Sequence, residues 1–370
     1  MITISLCMIV KNEENTLERC LSSVQKAADQ IIIVDTGSTD GTKQIARKFT
    51  RHIFDFEWID DFAAARNFAF QQAEMDYILW LDADDVFLEE DLSKLLELKN
   101  ALDSGIDSVT MKYHLAFDDQ GNVISSLRRN RLVKRSNQFR WIGAVHEYLE
   151  VGGRIMDSDI AVTHRGDDRD SDRNLKIYMK RQSGGENFSP RDVYYFANEL
   201  KDHRFFEMAA VYYEKFLNDG KGWIEDNIAA CGKLADCYHE LGEPAMELAS
   251  MLKSLEYGPP RPDFCCRMGY RFLQKNDYHA ALYWYKQAIE IPVPENSWGM
   301  QNLSCSTWLP HLQLCVCYDR IGLHDLAYRH NEAARQYQPD HPSVISNKVY
   351  LEEKLGLVQE AETAAVSSTS

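Results

Sequence analysis

Three clusters of acidic and polar residues follow apolar runs in the first quarter of the chain, and their types suit metal and phosphate chemistry. Asp82-Ala83-Asp84, with Asp85 next to it, comes directly after Ile78-Leu79-Trp80-Leu81. Closely spaced carboxylates are hard oxygen ligands that suit Mg²⁺ or Mn²⁺ together with phosphate oxygens. A cation held there acts as a Lewis acid on a diphosphate. An Asp-x-Asp by itself also fits a solvated loop or acids at a helix start; its place after a buried-type strand singles it out. Asp35 closes the apolar run 31–34 and leads into Thr36-Gly37-Ser38-Thr39-Asp40-Gly41-Thr42. Its carboxylate can accept a hydrogen bond from a nucleobase N–H, while Ser38, Thr39 and Asp40 are suited to cap the helix they precede. Lys11-Asn12-Glu13 ends the first apolar stretch, 2–10.

Up to about residue 107, short apolar runs alternate with helical periodicity, the pattern of βαβ units on a mainly parallel sheet. Strands are expected at 2–10, 31–34, 52–54 and 77–81, and helices near 42–49, 61–73 and 89–102. Leu17, Leu21, Val24 and Ala28 recur at helical spacing, with Asn15 and Glu18 as a start signal. A doubly wound sheet follows, and such sheets bind ligands beyond the carboxyl ends of their strands. The three clusters therefore converge on one crevice. From 108 the pattern changes to longer strands, 108–117 and 123–134, joined by Asp118-Asp119-Gln120-Gly121-Asn122, then short β segments to about His164.

The remainder has a different character. Residues 166–185 are rich in charge, Gly and Ser, so 166–190 is expected to be a linker or mobile loop between a domain at 1–165 and helical repeats at 191–363, with a disordered tail at 364–370. Small residues and aromatics recur in helix pairs: Ala197 with Tyr213, Ala235 with Tyr238, Gly269 with Ala281 and Tyr285, Cys315 with Tyr318 and Ala327. The leading anchors stand 38, 34 and 46 residues apart, near the roughly 34-residue tetratricopeptide period. Stacked hairpins form a concave surface suited to a peptide or another protein; a structural scaffold or a homodimer contact through the repeats is the other use.

Composition narrows the partners. The 370 residues, 45% hydrophobic, suffice for two cores, and a formal net charge of −16 repels phosphate backbones and anionic lipid. Nucleic acid is not expected as a partner, nor is membrane insertion, because no apolar run reaches about 18 residues. The chain start lacks the layout of a signal peptide. Nine scattered cysteines suit reduced thiols in a cytoplasmic protein. Cys265-Cys266 and Cys315-Val316-Cys317 sit in helical apolar patterns and are expected to pack as core, with metal binding the alternative.

Four ordered segments carry a resemblance: Leu6-Cys7-Met8-Ile9-Val10-Lys11-Asn12-Glu13-Glu14; residues 31–42; Asp61-Phe62 with Ala65-Arg66-Asn67; and Leu81-Asp82-Ala83-Asp84-Asp85. Together they resemble a family-2 glycosyltransferase of the GT-A fold over about 1–164. With the tetratricopeptide-like repeats, the chain is similar to the peptide S-glycosyltransferases that modify bacteriocins. The resemblance implies a Rossmann-like mixed sheet followed by an all-α repeat domain. It further implies inverting transfer from a UDP-sugar, UDP-glucose or a UDP-N-acetylhexosamine, to a Cys or Ser/Thr side chain of a peptide or protein, with Mg²⁺ or Mn²⁺. On this resemblance Val10, Lys11, Asn12, Glu13 and Asp35 line the nucleoside pocket. Arg66 sits near the donor, Asp82 with Ala83 approaches the ribose or the metal, and Asp84 coordinates the metal. Many members carry two acids where this chain has Asp35-Thr36, so the second acid's role is absent.

Gly143-Ala144-Val145-His146-Glu147 resembles the Gly-x-Val-His-Glu segment of repeat-bearing members, where an acid near the reactive carbon serves as general base. Glu147 is the first candidate, since a carboxylate can be tuned toward neutral pH by burial, and His146 is the alternative. His164 resembles the late histidine that completes metal or diphosphate binding, although a lone histidine after a strand also fits a hydrogen-bonded edge residue. Arg128, Arg129 and Arg131 suit a phosphate or a solvated strand face. Three other readings remain. One is a transferase acting on a saccharide or lipid-linked glycan, with the repeats as scaffold. A non-catalytic interaction protein is disfavoured by the intact acids, and a nucleotidyltransferase by the lack of a Walker-type glycine loop.

Overall fold

The computed structural model describes residues 1–118, 121–166, 172–292 and 301–357. Strands β1 (Ile4–Val10), β2 (Gln30–Asp35), β3 (His52–Asp55) and β4 (Tyr77–Trp80) pair in the order β3-β2-β1-β4, all parallel. Their side chains alternate between two cores, as a period of two requires. Leu6, Met8 and Leu79 join one cluster with helices α1 (Leu17–Val24) and α4 (Glu89–Ala101), while Cys7, Ile32 and Trp80 join another with α3 (Phe62–Gln71). Helices on both faces make the sheet doubly wound, as expected; α2 (Thr42–Ala46) is shorter than its pattern suggested.

Beyond β4 the sheet becomes mixed. The two-residue β5 (Asp85–Val86) is followed by β6 (Ser108–Phe117) and β7 (Val123–Lys134). β8 (Arg140–Ile142) and β9 (Tyr148–Glu150) form a separate hairpin, and β10 (Ile155–His164) returns to the main sheet. β7 is antiparallel to both β4 and β6, β10 is parallel to β6, and β5 closes the edge antiparallel to β10. The register sets Val10 beside Asp35 and Cys7 beside Trp80. The carboxyl ends of β1, β2 and β4 therefore lie along one edge, followed by the three clusters seen in the sequence.

Two local expectations are corrected. α1 does not start on an Asn15–Glu18 signal: its N-cap is Thr16, which makes no side-chain cap, and the Thr16 hydroxyl donates instead to Glu13 Oε2 at 2.6 Å. The segment expected as a linker contains helix α5 (Arg173–Ser183), which buries Leu175, Ile177 and Tyr178. Arg173, Lys176 and Lys180 lie on the exposed face of an amphipathic helix, a pattern that overall composition hides. Asp119 and Gln120 of the expected turn, the part of the expected linker at 167–171 and the expected tail at 364–370 lie outside the described residues.

The helices continue as α6 (Pro190–Asp202), α7 (Phe206–Asp219), α8 (Ile224–Glu240), α9 (Pro244–Lys253), α10 (Pro262–Gln274), α11 (Tyr278–Glu290), α12 (Trp308–Arg320), α13 (His324–Tyr337) and α14 (Pro342–Leu355). Ser189 and Asp192 form a capping box at the start of α6. The chain divides into two compact units, Met1–Leu248 and a second that begins at Ala249. The first unit thus runs well past residue 165 and includes α5 to α8. In the second, the sequence anchors meet as expected: Gly269 gives way to the ring of Tyr285, where an added Cβ would lie 2.8 Å from the ring. Ala281, Tyr285, Cys315, Tyr318 and Ala327 share one core. All nine cysteines are buried and none forms a disulfide, and the paired ones pack as core. Among the described residues no helix is long and apolar enough to cross a membrane.

Candidate active site

A cleft of about 1560 Å³ opens at the carboxyl edge of the sheet within the first unit. Its floor takes Val10, Lys11 and Glu13 from the end of β1, Arg66 from α3, and Asp82, Ala83 and Asp84 after β4. His146 and Glu147, in the loop between β8 and β9, and His164 at the end of β10 also line it, as do side chains of α5 and α6. Asn12 and Asp35 are not among its lining residues.

Arg66 is the electrostatic centre of the floor. It is 8% exposed, stacks between Trp80 and Trp141, and donates from Nη2 to Asp82 Oδ1 and from Nε to Glu147 Oε1, each at 2.6 Å. Burial works against its charge, yet Asp82 and then Glu147 outweigh it and make the guanidinium more basic than usual. Burial likewise opposes ionisation of Asp82, but Arg66 and then Arg131 hold its carboxyl well below the usual range. The Asp61-Phe62…Ala65-Arg66-Asn67 segment explains how this is built. Asp61 caps α3 by accepting from Ala64 N, and Asn67 exchanges two hydrogen bonds with the Trp141 backbone, both 2.9 Å. Phe62 N donates to Ala144 O at 2.8 Å. One helix thereby fixes β8, the His146–Glu147 loop and Asp82.

A group whose geometry could hold a cation lies beside Asp82 rather than on it. Ligand atoms of Asp84, Asp85 and His164 fall within 4.8 Å of one another. The β5–β10 register creates this group by pairing His164 with Asp85, and Arg165 N donates to Asp84 O at 2.9 Å. Asp85 is fully buried; Arg131 Nη1 sits 3.0 Å from its Oδ2, while its Oδ1 has no hydrogen-bond partner. Burial and then Asp82 push the carboxyl of Asp84 up to about 6. Asp85 raises the basicity of His164 and Asp84 adds to it, while burial opposes; Tyr113 OH lies 3.1 Å from its Nδ1. Crowded carboxylates with an orphaned buried oxygen are chemically matched to a divalent cation. Asp82, expected to share that metal, is committed to Arg66. Asp85 lies within the motif, but in sequence a one-residue offset from Asp84 gives no sign of which acid turns inward.

The other expected nucleotide residues divide. Asp35 is 1% exposed; its Oδ1 accepts from Gly37 N and Ser38 N at 3.0 and 2.9 Å, and its Oδ2 has no partner. Ser38, Thr39 and Asp40 lace the β2 loop to the β1 loop rather than simply capping α2. Asn12 N donates to Ser38 Oγ, Thr39 N to Asn12 Oδ1 and Glu14 N to Asp40 Oδ2. The side chain of Asn12, in the left-handed region at φ 56°, is spent on that lacing. The arginine stretch also divides. Arg128 binds Thr110 Oγ1 and Ser158 O, Arg131 holds Asp85 and stacks on Trp80 at 3.9 Å, and both Arg128 and Arg129 line the cleft.

On the opposite wall His146 holds a left-handed backbone, φ 51°. Its Nε2 lies 2.7 Å from Glu199 Oε1 on α6, its ring stacks on Tyr195 at 4.3 Å, and its carbonyl accepts from Arg191 Nε. Sequence reasoning missed Glu199 and Arg191. Both sit in a region whose helical periodicity signals only packing.

Residues 5–160 match the family model described as glycosyl transferase family 2. A TPR repeat-containing protein of Synechococcus elongatus is 36% identical over 150 residues, which is 40% of this chain and 36% of the relative. The SPbeta prophage-derived glycosyltransferase SunS of Bacillus subtilis is 27% identical over 250 residues, 62% of this chain and 58% of that protein. An uncharacterized glycosyltransferase of Rickettsia bellii is 34% identical over 114 residues, 31% of this chain and 36% of its own. The matches thus span between about a third and three fifths of these relatives' lengths.

Proposed function

We propose that the chain, whose residues 5–160 match the glycosyl transferase family 2 model and are followed by helical repeats, is an inverting glycosyltransferase. It moves a sugar from a UDP-sugar, UDP-glucose or a UDP-N-acetylhexosamine, to a Cys or Ser/Thr side chain of a peptide or protein. One observation carries the reading: a single cleft is lined by Asp84 and His164 of the acid cluster, by the Arg66–Asp82 pair, and by His146 and Glu147 opposite. The likeness to SunS supports a peptide acceptor, as does the contribution of α5 and α6 to the cleft.

Each demand of the reaction has a residue. Asp35 Oδ2, buried and unpartnered, suits a base N–H next to Thr36. Asp84, Asp85 and His164 would hold Mg²⁺ or Mn²⁺, which when bound supplies charge stabilisation to the diphosphate leaving group. Arg129 lends a guanidinium to the phosphates. A general base from the His146–Glu147 segment takes the acceptor proton as the acceptor atom bonds to the anomeric carbon and UDP departs.

The test is incubation of the full chain with UDP-glucose or UDP-N-acetylglucosamine, Mn²⁺ and synthetic peptides carrying Cys, Ser or Thr, read by UDP release and intact mass. A hexose- or N-acetylhexosamine-sized gain is expected, and its response to β-elimination identifies the linkage. Transfer to oligosaccharides alone would reassign the acceptor. Failure to bind UDP or to release it from any donor would sink the reading.

A further inference from the structure

We infer that His146 is the proton acceptor for the acceptor substrate, and that Glu199, from helix α6, is its positioning residue; this rests on the glycosyl-transfer reading. A carboxylate can only accept, so the 2.7 Å contact between Glu199 Oε1 and His146 Nε2 places the imidazole hydrogen on Nε2. Nδ1 is then the lone-pair nitrogen, and it has no partner among the described residues. The ring lines the cleft with its side chain 30% exposed, whereas Glu199 is buried at 8% and is itself anchored by Asn174 Nδ2 at 3.2 Å. Base, orienting carboxylate and buried anchor form the arrangement that fixes a tautomer and stabilises an imidazolium.

The surrounding elements hold this geometry at a backbone cost. His146 occupies a left-handed conformation that a non-glycine residue adopts only when neighbours impose it. α6 imposes it: Arg191 Nε donates to the His146 carbonyl at 3.1 Å, and Tyr195 lies flat against the ring at an interplanar angle of 16°. The titratable and charged groups packed against His146 are Glu199, Arg191 and Tyr195 of α6, Tyr178 of α5 and its neighbour Glu147.

Glu147 is differently employed. Its Oε1 is bound to Arg66 at 2.6 Å and its side chain is 11% exposed, so its charge is matched to the guanidinium that also holds Asp82. It serves as a strut on the donor side. In the step itself, the acceptor X–H gives its proton to His146 Nδ1 and X bonds to the anomeric carbon. The bond from that carbon to the diphosphate oxygen breaks, with its electron pair leaving on UDP. The imidazolium faces Glu199 until the proton passes to solvent. The first helix of the repeat region is thereby part of the catalytic unit.

The test uses the full chain with UDP-glucose, Mn²⁺ and water as acceptor, and Glu199→Gln, His146→Ala and the double variant. His146→Ala is expected to lower UDP release by about 100-fold or more, and Glu199→Gln by about 10-fold or more, on the usual worth of a general base and of its orienting carboxylate. UDP affinity by calorimetry stays within about twofold in both. Because Glu199 acts through His146, the double variant is expected to match His146→Ala, without a further loss. Nitrogen NMR of labelled histidine gives a readout free of turnover and of variant folding: His146 in the wild type carries its hydrogen on Nε2. Wild-type turnover in Glu199→Gln, an additive double variant, or an Nδ1–H tautomer in the wild type overturns the inference. A wild-type chain that releases no UDP from any donor overturns the glycosyl-transfer reading, and this inference with it.

Discussion

Arg66→Met removes the charge that holds two acids in the cleft floor, and its cost follows from the geometry. The guanidinium makes two hydrogen bonds of 2.6 Å, to Asp82 and Glu147. Breaking a buried ion pair costs about 3–5 kcal/mol, because the surviving charge stays buried without a partner. The Glu147 side chain is 11% exposed and pays most of that, whereas Asp82, at 31%, can recover water. The low end, about 3 kcal/mol, is therefore expected. For a unit of this size that corresponds to a fall of roughly 6–12 °C in melting temperature. Near-ultraviolet circular dichroism follows it, since the Trp80–Trp141 edge-to-face pair, 4.7 Å between centroids, borders the site. Adding Glu147→Gln removes the stranded charge and should recover about 1 kcal/mol or more. The pH dependence has a defined sign. The carboxyl of Asp82 is held below its ordinary value, so its contribution is full above about pH 3.9 and is lost as pH falls further. The gap between wild type and Arg66→Met should narrow on acidification. A variant melting within about 2 °C of wild type, or further destabilised by Glu147→Gln, would refute the reasoning.

Asp84→Asn should abolish Mn²⁺ binding by calorimetry while leaving the chain, in EDTA at neutral pH, at least as stable as wild type. Its carboxyl is pushed up to about 6, so its ionisation costs stability as pH rises from about 4 through 6; unchanged Mn²⁺ affinity would move the metal elsewhere. Gly269→Val places a Cβ 2.8 Å from the Tyr285 ring and should cost about 1–3 kcal/mol, read as a lower urea midpoint and partly recovered by Tyr285→Leu. An unchanged midpoint would mean that the ring moves freely. Burial, then His311 and Lys286, hold His330 down at about 4. Its folded value lies below the ordinary 6.5, so acidification from about pH 6.5 to 4 should cost the second unit up to about 3 kcal/mol. His330→Gln should flatten that acid dependence; an equally steep loss in the variant would exonerate the contact between His311 Nδ1 and His330 Nδ1, 2.9 Å apart.

The sequence by itself determined the features that depend on local periodicity and on residue type at strand ends. Alternating apolar runs set β1, β2 and β4, whose parallel register puts Asp35 and Asp82-Ala83-Asp84 on one edge. Recurring small residues and aromatics fixed the repeat cores, down to Gly269 against Tyr285. Only the tertiary structure decided how those side chains divide the work. Asp82 is drawn to Arg66 and Asp85 to His164, because α3 and the β5–β10 pairing approach from distant parts of the chain. Asn12 is consumed by Thr39, 27 residues away. Most of all, His146 meets Glu199 across 53 residues of sequence. Period and motif describe one segment at a time, whereas a hydrogen bond between segments depends on the packing of whole helices, which no single segment encodes.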